Sequence, residues 1–502
     1  MRLITSDFRF IYLAWSLLCI AGCQSMSREI LPEQMTPAHV DSAMWTDVSN
    51  AREGDWFSPL NLGPNALAWR LRSIHSASDS LDLQTFLWTN DRAGGAIAEA
   101  LLSAAERGVT VRILLDDSFT VDESEFLGRL NAHHNISCRI YNPFLYRPDS
   151  IALRQMFNLG EFSRVDRRMH NKVLVVDNIV SIVGGRNLAD EYFGYHSTAN
   201  FRDMELLVYG ETSTLISSSF DDYWNSGWAF PLEELVGFKL DGVEPLRDGR
   251  VIDSFLARET RSEKSAAWSS AASTGIAGKA YLLADRPAGK SPDRSLATQL
   301  AQRMIAWIDE AESELIAVSA YLIPTPELEA ALERAIDRGV RVKVLTNSLR
   351  SNNHTAAHAA YGHHIQRLVA IGVEVHEVRA LARDRGLYMD DLLTDPKLGL
   401  HAKFLLIDDH LSFIGSANLD ARSLRLNTEM GLMIQSEPLN QLLREFTRQD
   451  FSSANAWRVE GDPAGRLRWK GDNITLDKQP SDSVFQRLED WFLGVLPIEG
   501  EM

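Results

Sequence analysis

The chain repeats itself, and the repeat fixes what it can fold into. His170-Asn171-Lys172 followed by Asp177 recurs as His401-Ala402-Lys403 followed by Asp408, at a constant offset of 231. Each copy leads to a turn of small residues and an amide: Gly184, Gly185 and Asn187 in the first, Gly415, Ser416 and Asn418 in the second. The run Ala104-Ala105-Glu106-Arg107-Gly108-Val109 matches Ala335-Ile336-Asp337-Arg338-Gly339-Val340 at the same offset of 231. One His-Lys-Asp triple at fixed spacing arises by chance in a chain this long only on the order of a few per cent of the time. Two copies with matched trailing residues therefore mean two halves of one design.

The hydrophobic pattern gives those halves a class. Residues 80–88 read as a buried strand, 95–107 as a helix with an Ala/Leu stripe, and 109–115, 136–141, 171–176 and 180–183 as further strands. The second half repeats the order, with strands at 315–322, 340–346 and 373–378 and helices at 326–338 and 358–371. Such alternation predicts an α/β fold of two similar halves, each a mixed sheet flanked by helices, with the site at their interface. The chain divides into a signal (1–23), a tether and lead-in (24–55), a first half (56–236), a connector (237–296), a second half (297–456) and a C-terminal extension (457–502). Within the connector, 265–273 is Ser/Ala-rich and nearly free of structure signals. In the extension, Val484, Phe485, Leu488, Trp491, Phe492, Val495 and Leu496 form an apolar helical face. Packing against the body is its expected role, and membrane contact the other.

The N-terminus has the layout of an export signal. Arg2 and Arg9 precede an apolar stretch at 10–20 that is too short to span a bilayer. It ends in Ile20-Ala21-Gly22-Cys23, which resembles a bacterial lipobox, so Cys23 is expected to be acylated and to anchor the chain in the cell envelope. Gln24, in place of Asp, resembles lipoproteins sent on to the outer membrane. With Cys19 in the signal and Cys23 lipidated, Cys138 stands alone and cannot form an internal disulfide. No CxxC pair or HExxH helix is present, and no metal or cofactor is expected. The histidines at 354, 358, 363 and 364 lack a carboxylate or thiolate pattern; His358 is expected to line the substrate cavity. A formal charge of −17 excludes a general nucleic-acid binder, which needs a basic surface.

The motif residues suggest a chemistry. On a strand, i and i+2 share a face, so His170 would project with Lys172 and His401 with Lys403. Asp177 and Asp408 fall at the strand end, where a carboxylate fixes a turn more readily than it reacts. Two such faces related by pseudo-twofold symmetry offer two imidazoles, two ammoniums and two amides, an inventory suited to a phosphodiester. One histidine can attack phosphorus while the other protonates the leaving oxygen, and Lys172, Lys403, Asn187 and Asn418 can hold the developing charge. Asp203 and Glu429, each opening a strand after the Asn, are the expected partners of the histidine Nδ1 atoms.

These residues resemble the phospholipase D superfamily, with HxKxxxxD complete at His170/Lys172/Asp177 and His401/Lys403/Asp408, and Gly-[Gly/Ser]-x-Asn after each. More narrowly, "RRMHNK" ending at Lys172, "VGGRNLADEYFG" ending at Gly194, "LTNSL" ending at Leu349 and "LNTEMG" ending at Gly431 are similar to the cardiolipin synthase C type of bacterial enzyme. The resemblance implies two α/β halves with the motifs at their interface, all six motif residues in the catalytic set, and phosphatidyl transfer through a phosphohistidine without metal. It implies phosphatidylglycerol and phosphatidylethanolamine as substrates and cardiolipin as product. The alternative is a phospholipase D that passes the same intermediate to water and releases phosphatidic acid. The lipobox departs from the synthase pattern and opens the identity of the acceptor. A nuclease is disfavoured by the acidic, lipid-anchored chain, and an inactive lipid-binding scaffold by the intact motifs.

Overall fold

The computed structural model describes residues 33–36, 42–120, 122–148, 150–158, 161–235, 238, 259–287, 298–394 and 396–495. The lipobox and Cys23 lie outside the described residues. Helix α1 (Ala43–Ala51), capped by the Ser42 hydroxyl, leads to β1 (Trp56–Leu60) and α2 (Gly63–Ser76). Strand and helix then alternate through β2 (Ser80–Thr85), α3 (Arg92–Glu106), β3 (Thr110–Asp116), α4 (Ser124–Asn131) and β4 (Ile136–Tyr141). Helix α3 starts where the Asp91 carboxylate accepts from Gly94 N–H, and its alanine and leucine stripe is buried. After α5 (Ile151–Phe157) and α6 (Phe162–Val165) come β5 (Val173–Val176), β6 (Val180–Gly184), α7 (Asp190–Phe193), β7 (Ala199–Arg202), β8 (Glu205–Tyr209), α8 (Glu211–Trp224) and β9 (Ala229–Pro231).

Helix α9 (Arg261–Thr274) and β10 (Lys279–Ala284) precede the second half. That half runs α10 (Gln299–Glu310), β11 (Glu314–Ser319), α11 (Pro326–Asp337), β12 (Arg341–Asn347), α12 (Thr355–Ile371), β13 (Glu374–Val378), β14 (Lys397–Leu400), β15 (Lys403–Ile407) and β16 (Leu411–Gly415). A π-helical turn, Arg422–Leu426, then leads to β17 (Met430–Gln435), α13 (Glu437–Asp450), β18 (Ala456–Gly461), β19 (Leu467–Gly471), β20 (Ile474–Leu476) and α14 (Val484–Gly494).

The two large sheets share one topology. The first is ordered β1-β8-β6-β5-β2-β3-β4-β9, and the second β10-β17-β16-β15-β11-β12-β13-β18 with β19 and β20 added at its edge. In each, three central strands are parallel and the flanking pairs antiparallel. Both faces of each sheet are covered, which explains the unbroken apolar runs of β5 and β15. Val173 and Val175 face a core shared with Phe404 and Leu406 of the other half, whereas Leu174 and Val176 pack under the helices of their own half. Leu405 and Ile407 do the same in the second half. The sheets therefore meet face to face, and a short parallel pair, β7 with β14, ties the halves beside the site.

Two expectations need correcting. The Ser/Ala-rich part of the connector is helical: Thr260 and Glu263 form a capping box, and Trp268, Ala271 and Ala272 bury into the first core, so three residues and a cap suffice where the pattern looks featureless. The apolar face of the C-terminal helix does not pack on the body. Helix α14 docks by its polar side, through His358 Nδ1 to Asp490 Oδ1 at 2.9 Å and Gln486 Nε2 to Leu349 O at 2.9 Å, and turns its large apolar residues outward.

Candidate active site

The two motifs lie in extended lead-ins rather than on strands. Both β5 and β15 begin at or after the lysine, so His170 to Lys172 and His401 to Ala402 run into the sheet instead of belonging to it. What holds the histidines is the opposite half. His170 N–H donates to Thr428 O at 2.9 Å, and His401 N–H donates to Arg202 O at 2.9 Å. Thr428 and Arg202 each immediately precede an orienting carboxylate. His170 Nδ1 lies 3.0 Å from both oxygens of Glu429, and His401 Nδ1 lies 2.6 Å from Asp203 Oδ2. Both carboxylates expected from the sequence stand beside a histidine Nδ1, and they are exchanged: each half places its carboxylate against the other's imidazole. With Nδ1–H donated to a carboxylate, Nε2 is the free atom of each ring.

Lys172 and Lys403 are buried and donate Nζ to the carbonyls of His170 and His401, the first at 2.6 Å. Burial pushes Lys172 down to about 7 and Lys403 down to about 8, against the pull of Glu429 and Asp203. Burial, Lys172, Lys403 and Arg422 hold His170 well below the usual imidazole range. Burial and Lys403 push His401 down to about 3, against the pull of Asp203. Each histidine feels the other motif's lysine, so the four groups share one electrostatic site, and both imidazoles rest neutral. Asn187 and Asn418 are buried, and in both the side-chain oxygen has no hydrogen-bond partner. A half-turn of the amide exchanges oxygen and nitrogen, so the same position can offer an N–H to an anionic oxygen.

Asp177 and Asp408 do not belong to the reacting set. Asp177 accepts from the N–H groups of Ser78, Asp79 and Ser80 and from Trp45 Nε1, and Asp408 from the N–H groups of Glu312, Ser313 and Glu314. Both sit at φ near +50° (49 and 51) in the turn past the strand, which places them about 16 Å from the motif lysine at the usual rise per residue. His358 is also corrected. It is fully buried, with Nδ1 2.9 Å from Asp490 Oδ1 of α14, so it serves to dock that helix.

Several functional neighbours escaped the sequence reading. Phe86 meets the His170 ring edge-on at 5.0 Å, and Tyr192 meets His401 at 4.9 Å with Phe201 at 5.5 Å. Ser416 donates its hydroxyl to Glu429, and Arg422 binds Asp166 at 3.0 Å close enough to His170 to lower it. At the offset of 231, Ser416 aligns with Gly185 and Arg422 with Glu191, so the asymmetry is written in the sequence once the halves are superposed.

The family described as "Cardiolipin synthase, PLD-like domain" matches residues 71–224 and 304–451, one match for each half and each containing one motif. The chain belongs to this family. It is 34% identical to cardiolipin synthase C of Escherichia coli (strain K12) over 458 residues, covering 88% of this chain and 95% of that protein. It is 27% identical to cardiolipin synthase B of the same strain, over 78% of this chain and 80% of the relative. The fold is similar to that of a phosphatidylserine synthase from Haemophilus influenzae Rd KW20, with a TM-score of 0.53 over 82% of this chain and 90% of the other, at 13% identity. As a phospholipase D-like member of the cardiolipin synthase family, the protein is an enzyme whose paired motifs form one site.

Proposed function

We propose that the protein makes cardiolipin by phosphatidyl transfer through a phosphohistidine, with His170 as nucleophile. The observation that carries the reading is the crossed pair of imidazole–carboxylate couples beside two buried lysines, in a chain that aligns with cardiolipin synthase C along nearly its whole length. Cardiolipin is two phosphatidyl groups on one glycerol, so phosphatidylglycerol supplies the acceptor hydroxyl and a second phospholipid, phosphatidylethanolamine, supplies the phosphatidyl group.

The neutral Nε2 of His170 attacks phosphorus as the bond to the ethanolamine oxygen breaks. That oxygen takes a proton from His401 Nε2. His401 gains this proton when the anionic diester offsets the lysine charges, and Asp203, which its contacts with His401 and Lys403 hold well below the usual carboxylate range despite burial, stabilises the imidazolium. The phosphatidylglycerol hydroxyl then gives its proton to His401 while its oxygen attacks phosphorus, and the N–P bond electrons return to His170. Lys172, Lys403 and the two asparagine amides neutralise the equatorial oxygens as charge develops.

Acylation of Cys23 would hold the enzyme on an envelope membrane of a bacterium, where both substrates reside. Incubating the purified protein with phosphatidylglycerol and phosphatidylethanolamine should give cardiolipin and ethanolamine, read by lipid mass spectrometry. Phosphatidic acid without cardiolipin would instead make it a phospholipase D, since hydrolysis needs only water in place of the second hydroxyl.

A further inference from the structure

Helix α14 is the one element singled out by the sequence that the reaction does not use. Val484, Phe485, Leu488, Trp491, Phe492 and Val495 follow one another at helical spacing and are each between 55% and 82% exposed. The three aromatic rings alone leave roughly 450 Å² uncovered, taking typical side-chain areas. With the aliphatic members the patch exceeds what single-chain soluble proteins commonly leave open.

The helix is nevertheless held firmly by its other side. Besides the Asp490 and Gln486 contacts, Gly494 O accepts from His363 Nε2 at 2.9 Å, and Ser483 caps the first turn. The helix therefore presents its apolar face outward by construction.

Its position relates it to the site. Gln486 binds the carbonyl of Leu349, and Asp482 binds Arg350 and Lys397. These residues border Asn347, whose amide bridges Leu400 N and O next to His401, and β14, which runs into His401. In the first half, Phe119, Tyr146, Leu153, Met156 and Phe157 are also exposed. Phe119 contacts Phe86 edge-on at 5.3 Å, and Phe86 contacts His170. Exposed apolar side chains are thus linked to His170 through Phe86 and, by way of α14, Leu349 and Asn347, to the backbone next to His401.

We propose that α14 lies in the plane of a phospholipid bilayer with this face among the acyl chains, bringing the site to its substrates in the membrane. The proposal rests on the reading of the substrate as phospholipid. The face has no charged member, and its only polar atom is the Trp491 indole, a group that suits the boundary between acyl chain and water. A protein partner would ordinarily be met by a polar rim. Of the helix charges, Asp490 is engaged with His358 and Arg487 with Gln479 O, and the exposed Glu489 flanks the apolar face where a headgroup-level carboxylate stays in water. In a chain of net charge −17, attraction to anionic lipid cannot supply the affinity, so insertion should tolerate salt.

The test uses the full chain carrying Leu488→Cys, with Cys19→Ser and Cys23→Ser so that only position 488 takes an environment-sensitive fluorophore and no acyl anchor contributes. Cys138 is buried and should not react. Vesicles of phosphatidylethanolamine and phosphatidylglycerol should shift the emission to the blue, and a spin label in the lipid acyl chains should quench it, at low and high salt alike. Emission that stays water-like with vesicles in excess would overturn the proposal. So would a blue shift that needs no vesicles and grows with protein concentration, which would assign the face to a second copy. In the otherwise natural chain, Phe485→Asp with Trp491→Asp should lower the ratio of turnover on vesicles to turnover on a dispersed short-chain donor at least tenfold; an unchanged ratio would also overturn it. A wild-type protein inactive on both substrates, with the blue shift intact, would defeat the enzymatic reading and leave α14 a membrane contact.

Discussion

His170 and His401 are the same residue in the same motif, yet their surroundings differ in sign and in stiffness. His401 is met by Asp203, a carboxylate held ionised, and is boxed by the rings of Tyr192 and Phe201. His170 is met by Glu429, which burial pushes up to about 7, and has Arg422 nearby. The supports differ as well. From Asn187 to Asp203 the chain takes 16 residues, and from Asn418 to Glu429 only 11. The longer first segment carries α7 and β7 and is braced by buried Arg186, which donates to Tyr192 O and Asp203 O at 2.9 Å each. The shorter second segment relies on the Ser416 hydroxyl and on Asp285, whose carboxylate accepts from Glu429 N–H at 3.1 Å. The two halves of a duplicated fold thus differ in their loops, and on the proposed mechanism the difference suits His401 to carry a proton and His170 to attack.

The largest effect expected is loss of turnover in His170→Ala and His401→Ala, each by about 10⁴-fold or more. The two should part company on a donor with a p-nitrophenyl leaving group, which departs without protonation. His401→Ala should still accumulate a phosphorylated peptide containing His170, and His170→Ala should accumulate none. A phosphorylated peptide containing only His401 would reverse the roles.

The carboxylates come next. Asp203→Asn should cost about 10³-fold in turnover, because an amide cannot stabilise the imidazolium, whereas Glu429→Gln should cost about tenfold to a hundredfold at neutral pH. A carboxylate raised to about 7 is protonated below that pH and loses the charge that strengthens its hold on His170 Nδ1–H, so wild-type turnover should fall as pH drops through about 7. That acidic limb should vanish in Glu429→Gln and persist in Asp203→Asn. Equal losses and identical pH profiles would break the comparison between the halves.

A finer contrast lies in the turn residues. A Cβ at Gly185 would stand 2.2 Å from Asp203 Oδ1, so Gly185→Ala should displace that carboxylate and lower turnover by about a hundredfold. Ser416→Ala removes a donor to Glu429 without crowding it. The carboxylate should then be harder to ionise, and the acidic limb of the pH profile should move upward with only a several-fold loss at neutral pH. An unmoved limb would mean that Glu429 does not govern it.

How much of this was readable beforehand follows from range. The motif residues, the amides and the two carboxylates were legible because duplication marks them twice, and the alternating pattern fixed the strand and helix order. The exchange of carboxylates was not, since His170 and Glu429 are 259 residues apart and only packing of the two sheets joins them. Arg186 and Arg422 look like ordinary polar residues until their aligned partners are seen to differ, and the Ser416 that stands opposite Gly185 in the repeat does not reveal its bond to Glu429. The pattern of α14 reveals an apolar face but not which side meets the body, because that is decided by the single contacts of Asp490, Gln486 and Gly494.

The smallest expected effect separates the two motif aspartates, and it is one of stability. Asp177 is buried and holds three backbone N–H groups and the Trp45 indole, which buries into the first core. Asp408 makes the matching turn in a more exposed position. Asp177→Ala should therefore destabilise by about 2–3 kcal/mol and Asp408→Ala by about 1 kcal/mol, read from denaturant midpoints of whichever half unfolds first. Burial pushes the Asp408 carboxyl up, but the Ser313 hydroxyl and backbone N–H groups pull it further down, to a net value below the ordinary carboxylate range. A depressed carboxylate stabilises above its unfolded value and loses that contribution as pH falls through its folded one, so the cost of Asp408→Ala should shrink on acidification. Turnover per folded molecule should change little in either variant, because neither carboxylate reaches the histidines. A catalytic collapse in folded Asp177→Ala protein would restore that residue to the reacting set.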